Sequence, residues 1–334
     1  MTKPAKVSVL VPIFNNARYL GECLDSLNRQ ELAEMEVLLL DDGSTDASPE
    51  IIREFAARDS RMRVVSKENS GYGDTLNIGL GMASGEYVGI VESDDFVEPE
   101  MFSLLYDLAS RHGADIAKSC FNHCRSDRRR YIAIGEHGHY ETTLRPTDHP
   151  GLFMKAEAIW AAVYRRAFLL NNNLLFLPTP GASFQDMSFF FKTYAVAEKT
   201  VFSAKALLNY RRDNPTSSVK SRDKVFCVCE EYAEIERFFG GDMPPILQGV
   251  FHAHRARSYL RTLRRVSPAN RRVFLEKASP ELLESLSEMG PDGQALLKKR
   301  TMRWLRLLKA NPSLFLLKCR FHDFYFQARK FLRR

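Results

Sequence analysis

Glu86-Tyr-Val-Gly-Ile-Val-Glu-Ser-Asp-Asp95 decides how the first third of this chain folds. Tyr87–Val91 is apolar without alternation, the pattern of a short strand buried on both faces. It delivers two carboxylates, Asp94 and Asp95, to the loop beyond it, and hard oxygen ligands of this kind suit a divalent cation. Val37-Leu-Leu-Leu40 is a second such run, and it too ends on an acidic pair, Asp41-Asp42, followed by Gly43-Ser-Thr-Asp46. In an open α/β sheet, ligands bind at the carboxyl ends of neighbouring strands. Two acidic strand ends therefore point to a metal-assisted nucleotide site. Either pair alone also suits a cap on the following helix, because acidic side chains favour helix N-termini.

Outward from these two strands the same alternation continues. Val7–Val11 is a buried run stopped by Pro12, and Ala17–Leu27 carries Leu20, Cys23, Leu24 and Leu27 at helical spacing. A helix is expected from about Pro49, with Ser48 as its cap. A strand over Met62–Val65, a helix over Asp74–Met82 and a helix over Pro99–Ser110 complete the series. This order predicts a mainly parallel sheet covered on both faces. From Asp115 to Val219 the pattern loosens into strand fragments and loops. Two helices are expected there, one over Lys155–Leu170 and one after Asp186 with Phe189, Phe190, Phe191 and Tyr194 on it. From Arg222 onward the chain reads as helices separated by Pro244-Pro245, Ser267-Pro268 and Pro312. The expected division is 1–118, 119–221 and 222–334.

A 334-residue chain suits two or three structural units and a core that needs no staples, and 45% hydrophobic and 27% charged residues are ordinary for a soluble globular enzyme. The six cysteines are scattered. Cys227-Val-Cys229 has the wrong spacing for zinc, and Cys120-Phe-Asn-His123-Cys124 lacks a second ligand pair, so free thiols in a reducing cytoplasm are expected. His137-Gly-His139 is read as a surface loop. Met1-Thr-Lys-Pro leads directly into a strand, and no apolar run approaches the roughly 18 residues of a bilayer span. A cytoplasmic location is expected.

The net charge of +7 is unevenly distributed. From Lys298 onward there are twelve Lys and Arg against one acid, Asp323, an excess of +11 that leaves −4 for the rest. Trp304, Leu305, Leu308, Leu314, Leu317, Phe321, Phe324, Phe331 and Leu332 interleave with these charges. Apolar spacing through Leu314, Leu317, Phe321 and Phe324 gives an amphipathic helix with basic flanks. That combination fits the anionic inner face of a membrane better than nucleic acid. The alternative is a helix packed on the chain's own core or on a second subunit of a homo-oligomer. A dinucleotide-dependent oxidoreductase is excluded. The turn after the first strand reads Pro12-Ile-Phe-Asn-Asn-Ala-Arg18, and Gly71-Tyr-Gly73 is followed by Leu76 where a third glycine is needed.

Pro12-Ile-Phe-Asn15, Asp41-Asp-Gly-Ser-Thr-Asp46, Asn69-Ser-Gly71, Ala83-Ser-Gly-Glu-Tyr87 and Ser93-Asp-Asp95 stand in order over about 85 residues. With these five motifs the first 120 residues resemble the nucleotide-sugar-binding half of a family 2 glycosyltransferase with the GT-A fold. The resemblance continues to about Ser221. Ile159-Trp160, Pro180–Phe189 and Tyr210–Ser218 are similar to bacterial members that build surface polysaccharide or lipooligosaccharide.

The resemblance implies an acceptor-binding half after the donor half, and a helical extension from 222. It also implies inverting, metal-dependent transfer from a nucleotide-diphosphate sugar, with UDP favoured, to a hydroxyl of a cell-surface glycan or lipid-linked acceptor. Asp95 would then be the direct ligand of Mg²⁺ or Mn²⁺, and Asp94 would contact the ribose or the metal's water shell. Asp42 would accept a hydrogen bond from the base edge. Pro12 and Phe14 would shape the base pocket, Phe14 being either a stacking face or a core aromatic. Asn15, Asn69 and Gly71 join the nucleotide side through their motifs. Asp186 becomes the general base, where a lone aspartate in that position is otherwise a helix cap. The family's usual Glu-Asp acceptor pair is Gln185-Asp186 here, and Gln185 and Trp160 fall on the acceptor side. Arg211 or Arg212 would clamp the departing diphosphate unless solvated. A nucleotide-binding scaffold without turnover is the rival from another class, and retention of Asp95 and Asp186 argues against it.

Overall fold

A computed structural model describes residues 5–126, 128–182, 184–215 and 226–319. The chain forms two compact units, Met1–Thr216 and Ser217–Arg334. The first opens with β1 (Val7–Ile13), α1 (Ala17–Asn28), β2 (Met35–Asp41), α2 (Ser48–Arg58), β3 (Met62–Ser66), α3 (Tyr72–Met82) and β4 (Tyr87–Ile90). These strands lie in the order β3-β2-β1-β4 and are all parallel. All seven residues of β1 are buried, as a strand covered by helices on both faces requires. Ile13 pairs with Asp41 and Asp41 with Ser66, so the loops after β1, β2 and β3 emerge at one sheet edge. Ser48 is the first residue of α2 and makes no side-chain cap. Its hydroxyl instead accepts the Asn16 N–H at 3.2 Å and ties two of those loops together.

The unit continues with β5 (Phe96–Val97), α4 (Met101–His112), β6 (Ile116–Arg125), β7 (Arg128–Ile132), β8 (Thr143–Leu144), β9 (Ala162–Arg165), α5 (Arg166–Asn171), α6 (Gln185–Val196) and β10 (Thr200–Arg211). The sheet extends through β9 and β6 to β10, with β6 and β10 parallel and β7 an antiparallel strand on β6. The helix expected over Lys155–Leu170 does not form. A 3-10 turn, Ile159–Ala161, leads into β9, and only Arg166–Asn171 is helical. The reason is nonlocal, since Tyr164 pairs with Val88 of β4 and with Ile116 of β6. Burying Val163 and Tyr164 between two strands outweighs the local helical pattern. His137 and His139 sit in a short 3-10 turn where His139 Nδ1 accepts the Glu136 N–H.

The second unit is helical: α7 (Cys227–Phe239), α8 (Pro245–Leu263), α9 (Pro268–Glu288), α10 (Gly290–Ala295) and α11 (Lys299–Ala310), with 312–319 helical beyond. Its interior holds a charge. Arg255 is 1% exposed; its Nε donates to Ser285 Oγ at 2.8 Å, Nη1 to Glu236 at 2.9 Å and Nη2 to Glu284 at 2.5 Å. Met302, Leu305, Leu308 and Phe315 are buried within this unit, and Trp304 packs edge-on to Phe315. Part of the basic segment's apolar content is therefore core. Phe321, Phe324, Phe331 and Leu332 lie outside the described residues. All six cysteines are free thiols.

Candidate active site

The loops after β1, β2 and β3 brace one another. Asn15 takes φ of 49°, and its Oδ1 accepts the Thr45 N–H at 2.7 Å and the Asp46 N–H at 3.2 Å. Asp41 accepts the Ser44 N–H at 3.0 Å, so the first acid of its pair closes its own turn. Asp42 reaches across instead. Its Oδ1 accepts the Ser70 N–H at 2.9 Å and pairs with Lys67, and its Oδ2 accepts the Gly71 N–H at 3.0 Å. Asn69 Nδ2 donates to the Asp42 carbonyl. Gly71 has φ of +99°, and a Cβ there would stand 2.7 Å from the Thr179 carbonyl oxygen and 2.8 Å from the Gly181 nitrogen. Only glycine permits that approach. Pro12 is buried beneath this cradle, and Phe14 is 51% exposed. The structure thus excludes a core role for Phe14 and leaves its ring open.

The loop after β4 carries the second acidic pair. Asn16 Nδ2 donates to Ser93 Oγ at 2.9 Å and fastens this loop to the first. Asp95 is 1% exposed; its Oδ1 accepts the Arg211 N–H at 2.8 Å, and its Oδ2 is buried with no hydrogen-bond partner among the described residues. Burial, and then the Asp94 charge, push the Asp95 carboxyl well above the usual range. An unmatched buried carboxylate oxygen is costly unless something compensates it. Asp94 Oδ2 accepts from Asn214 Nδ2 at 2.7 Å, and the Asp94 carbonyl accepts from Arg211 Nε at 2.9 Å. Among the described residues no three His, Cys, Asp or Glu side chains converge as a ready cation site. One or two carboxylates completed by substrate oxygens is the arrangement Mg²⁺ and Mn²⁺ accept, so these residues fit the ion. Glu92 is pushed up to about 8 by burial, against the Tyr72 hydroxyl that donates to it at 2.5 Å and with the charges of Asp94 and Asp186 adding to the rise.

Asp186 lies in the first turn of α6, half-buried. Its charge acts on Tyr72, Glu92 and Lys118, which brings it into the same electrostatic neighbourhood as the β4 loop. Gln185 is turned into the protein's own chain. It is 1% exposed, and its amide nitrogen donates to Thr179 Oγ1 at 2.9 Å and the Gly181 carbonyl at 3.1 Å. It holds the segment that Gly71 abuts. Trp160 is 8% exposed, stacked on Tyr210 at 5.0 Å and 13° and edge-on to Phe121 at 4.7 Å, so it is a wall more than an open face.

The two arginines separate. Arg211 pairs with Glu22 at 2.5 Å, and its guanidinium lies 4.8 Å from the Tyr19 ring centre. With its main chain on Asp95 and its side chain on Glu22, it braces the acidic loop from within. Arg212 is exposed over Tyr210. Tyr72, Lys67, Glu22 and Asn214 escaped the sequence reading. Only Asn214 carried a signal there, its place in the Tyr210–Ser218 run, of which 216–218 fall outside the described residues.

Residues 8–176 match the family model "Glycosyl transferase family 2". Over 216 residues the chain is 34% identical to a Bacillus subtilis protein named uncharacterized glycosyltransferase EpsJ, covering 63% of this chain and 62% of that one. S. aureus TarS 1-349 in complex with UDP-GlcNAc aligns over 97% of this chain and 92% of its own, with a TM-score of 0.70 and 21% identity. The mannosyltransferase PcManGT from Pyrobaculum calidifontis, in complex with GDP-Man and Mn²⁺, aligns over 97% and 88% with a TM-score of 0.56 and 18% identity. At these identities the two structures show a shared fold.

Proposed function

This chain belongs to glycosyl transferase family 2, and from that premise we propose that it is an inverting, metal-dependent transferase moving a sugar from a UDP-sugar to a glycan or lipid-linked hydroxyl. The carrying observation is the buried Asp95 Oδ2, which has no partner among the described residues and stands in a loop with Asp94 at a parallel strand end. Asp95 and Asp94 would hold Mg²⁺ or Mn²⁺, which when bound stabilises the negative charge growing on the departing diphosphate. Arg211 keeps both acids in place through its main-chain and side-chain N–H groups. Phe14 offers its open ring to the base. Asp42 Oδ2, with one amide already bound, keeps a lone pair for a base N–H. Asp186 takes the acceptor hydroxyl's proton on a carboxylate oxygen, and attack opposite the leaving group inverts the anomeric carbon. UDP is favoured because TarS, the fold neighbour above, is bound to UDP-GlcNAc. A nucleotide-release screen against a panel of sugar nucleotides tests the reading. UDP release that depends on Mg²⁺ or Mn²⁺ and stops with chelator is expected; no release from any donor would overturn it.

The basic segment supports a second element, attachment to an anionic membrane surface. Leu314 and Leu317 are 39% and 47% exposed among its charges, and no helix among the described residues is long and apolar enough to cross a bilayer. Each Lys or Arg near such a surface contributes about 1 kcal/mol, screened by salt. The protein should therefore co-sediment with anionic vesicles at low salt and release as salt rises. Equal retention on neutral vesicles would count against attachment.

A further inference from the structure

The hairpin of β6 and β7, beside the end of β10, carries a charge pattern that the transfer chemistry above does not use. Pairing sets Arg130 opposite His123 and His123 opposite Tyr210. Opposed residues share a sheet face and successive residues alternate between faces. One face thus carries His123, Arg128, Arg130 and Tyr210, with Trp160 stacked on Tyr210 and the Arg212 guanidinium 5.4 Å from the same ring centre. The opposite face carries Arg129 and Arg211.

The two faces treat their arginines differently. Arg129 pairs with Glu98 at 2.8 Å and Arg211 with Glu22 at 2.5 Å. Arg128, Arg130 and Arg212 are all exposed and have no acidic partner among the described residues. Burial, followed by the fields of Arg212 and Arg130, holds the His123 pKa below its ordinary value, so both cations act on one half-buried spot. Like charges gathered with no paired acid among the described residues repel, and an anion seated among them relieves that repulsion.

This face adjoins both halves of the proposed chemistry. Arg211, between Tyr210 and Arg212 in the chain, donates its N–H to Asp95. The turn bearing Trp160 packs against α6, the helix of Asp186. The donor cradle of Asn15, Asp42 and Gly71 is built on other strands, at the ends of β1, β2 and β3.

We infer that this face binds an anionic group of the acceptor, a phosphodiester or a carboxylate, through Arg130 and Arg212, with the Trp160–Tyr210 stack as the wall beside it. The inference rests on the transferase reading and adds a substrate class to it, an acidic glycan. The planar guanidinium fork matches both oxyanions bidentately.

Calorimetry without donor tests it, using three oligosaccharides of equal length: one with a phosphodiester, one with a uronate and one neutral. The wild-type protein should bind one or both charged probes about tenfold more tightly than the neutral one at low salt, and the charged probe bound more tightly identifies the source. Arg130→Gln and Arg212→Gln should each weaken that binding roughly tenfold, the value of one charge-assisted contact. Arg130→Lys should restore part of it, and unchanged melting curves would show that the variants fold. Equal affinity for neutral and charged probes would overturn the inference. So would a preference that survives both glutamine variants, or variants that lose UDP affinity and keep the charged glycan, which would assign the face to the donor diphosphate. Failure of the transferase reading shows separately, as absence of nucleotide release from every donor.

Discussion

Each unit of this protein buries an ionisable side chain, and the two differ in how completely the protein answers it. In the helical unit every nitrogen of the Arg255 guanidinium has a partner, in Ser285, Glu236 and Glu284. In the α/β unit Asp95 receives one main-chain N–H on one oxygen and, among the described residues, nothing on the other. A buried charge that the chain completes by itself is a structural device. One left half-complete at a strand end, beside a second carboxylate, is what the proposed cation would complete. Lys118 falls between them, 1% exposed on β6 with its Nζ donating to the Glu157 carbonyl at 2.7 Å.

If that division holds, changes in the two units should fail in different ways. Asp186→Asn should lower turnover about 10²–10⁴-fold, the usual worth of a positioned base, while leaving UDP affinity and melting temperature near those of the parent. A joint collapse of affinity and activity would make Asp186 structural. Arg255→Ala should act in the opposite sense, lowering the urea-measured stability of the helical unit by about 3 kcal/mol with little effect on donor affinity in the folded protein. Stability within about 0.5 kcal/mol of the parent, the scatter of surface substitutions, would show that the network contributes nothing.

Lys118 gives a pH signature. Burial, opposed by Glu157 and Asp186, pulls its pKa down to about 7, below its ordinary unfolded value. Between about pH 7 and pH 10 the unfolded chain therefore binds more protons at this site than the folded one, so its contribution to stability rises with pH. Lys118→Met should remove that rise, seen as a flatter difference in melting temperature against pH. Parallel curves would place the lysine's charge in contact with solvent. Its effect should be the smallest of the three.

The parallel half of the fold was legible because its signals are local. Val7–Val11, Val37–Leu40 and Tyr87–Val91 are apolar on both faces, and their polar ends mark where the chain leaves the sheet. The strand Ala162–Arg165 was not legible, because only pairing with Val88 and Ile116 distinguishes it from a helical segment. The same holds within the site. Asp42, Asp94, Asp95 and Asp186 stand out in the sequence, and the structure brings the last three into one electrostatic neighbourhood, with Asp42 at the cradle. In the sequence Arg211 and Arg212 are interchangeable, because the register of β10 on β6 decides which one turns inward to Glu22. Tyr72 on Glu92 spans two elements that no motif connects, and Gln185 looked like an acceptor contact until its burial against Thr179 was visible.

The claim that Asp95 awaits a cation is tested most directly by calorimetry of UDP with and without Mn²⁺, on the parent protein and on Asp95→Ala. The parent should bind UDP more tightly with Mn²⁺ present, and the variant should bind it equally weakly with or without the ion, because an unshielded diphosphate would then face Asp94. A metal-dependent gain in affinity that is the same in both proteins would contradict the account.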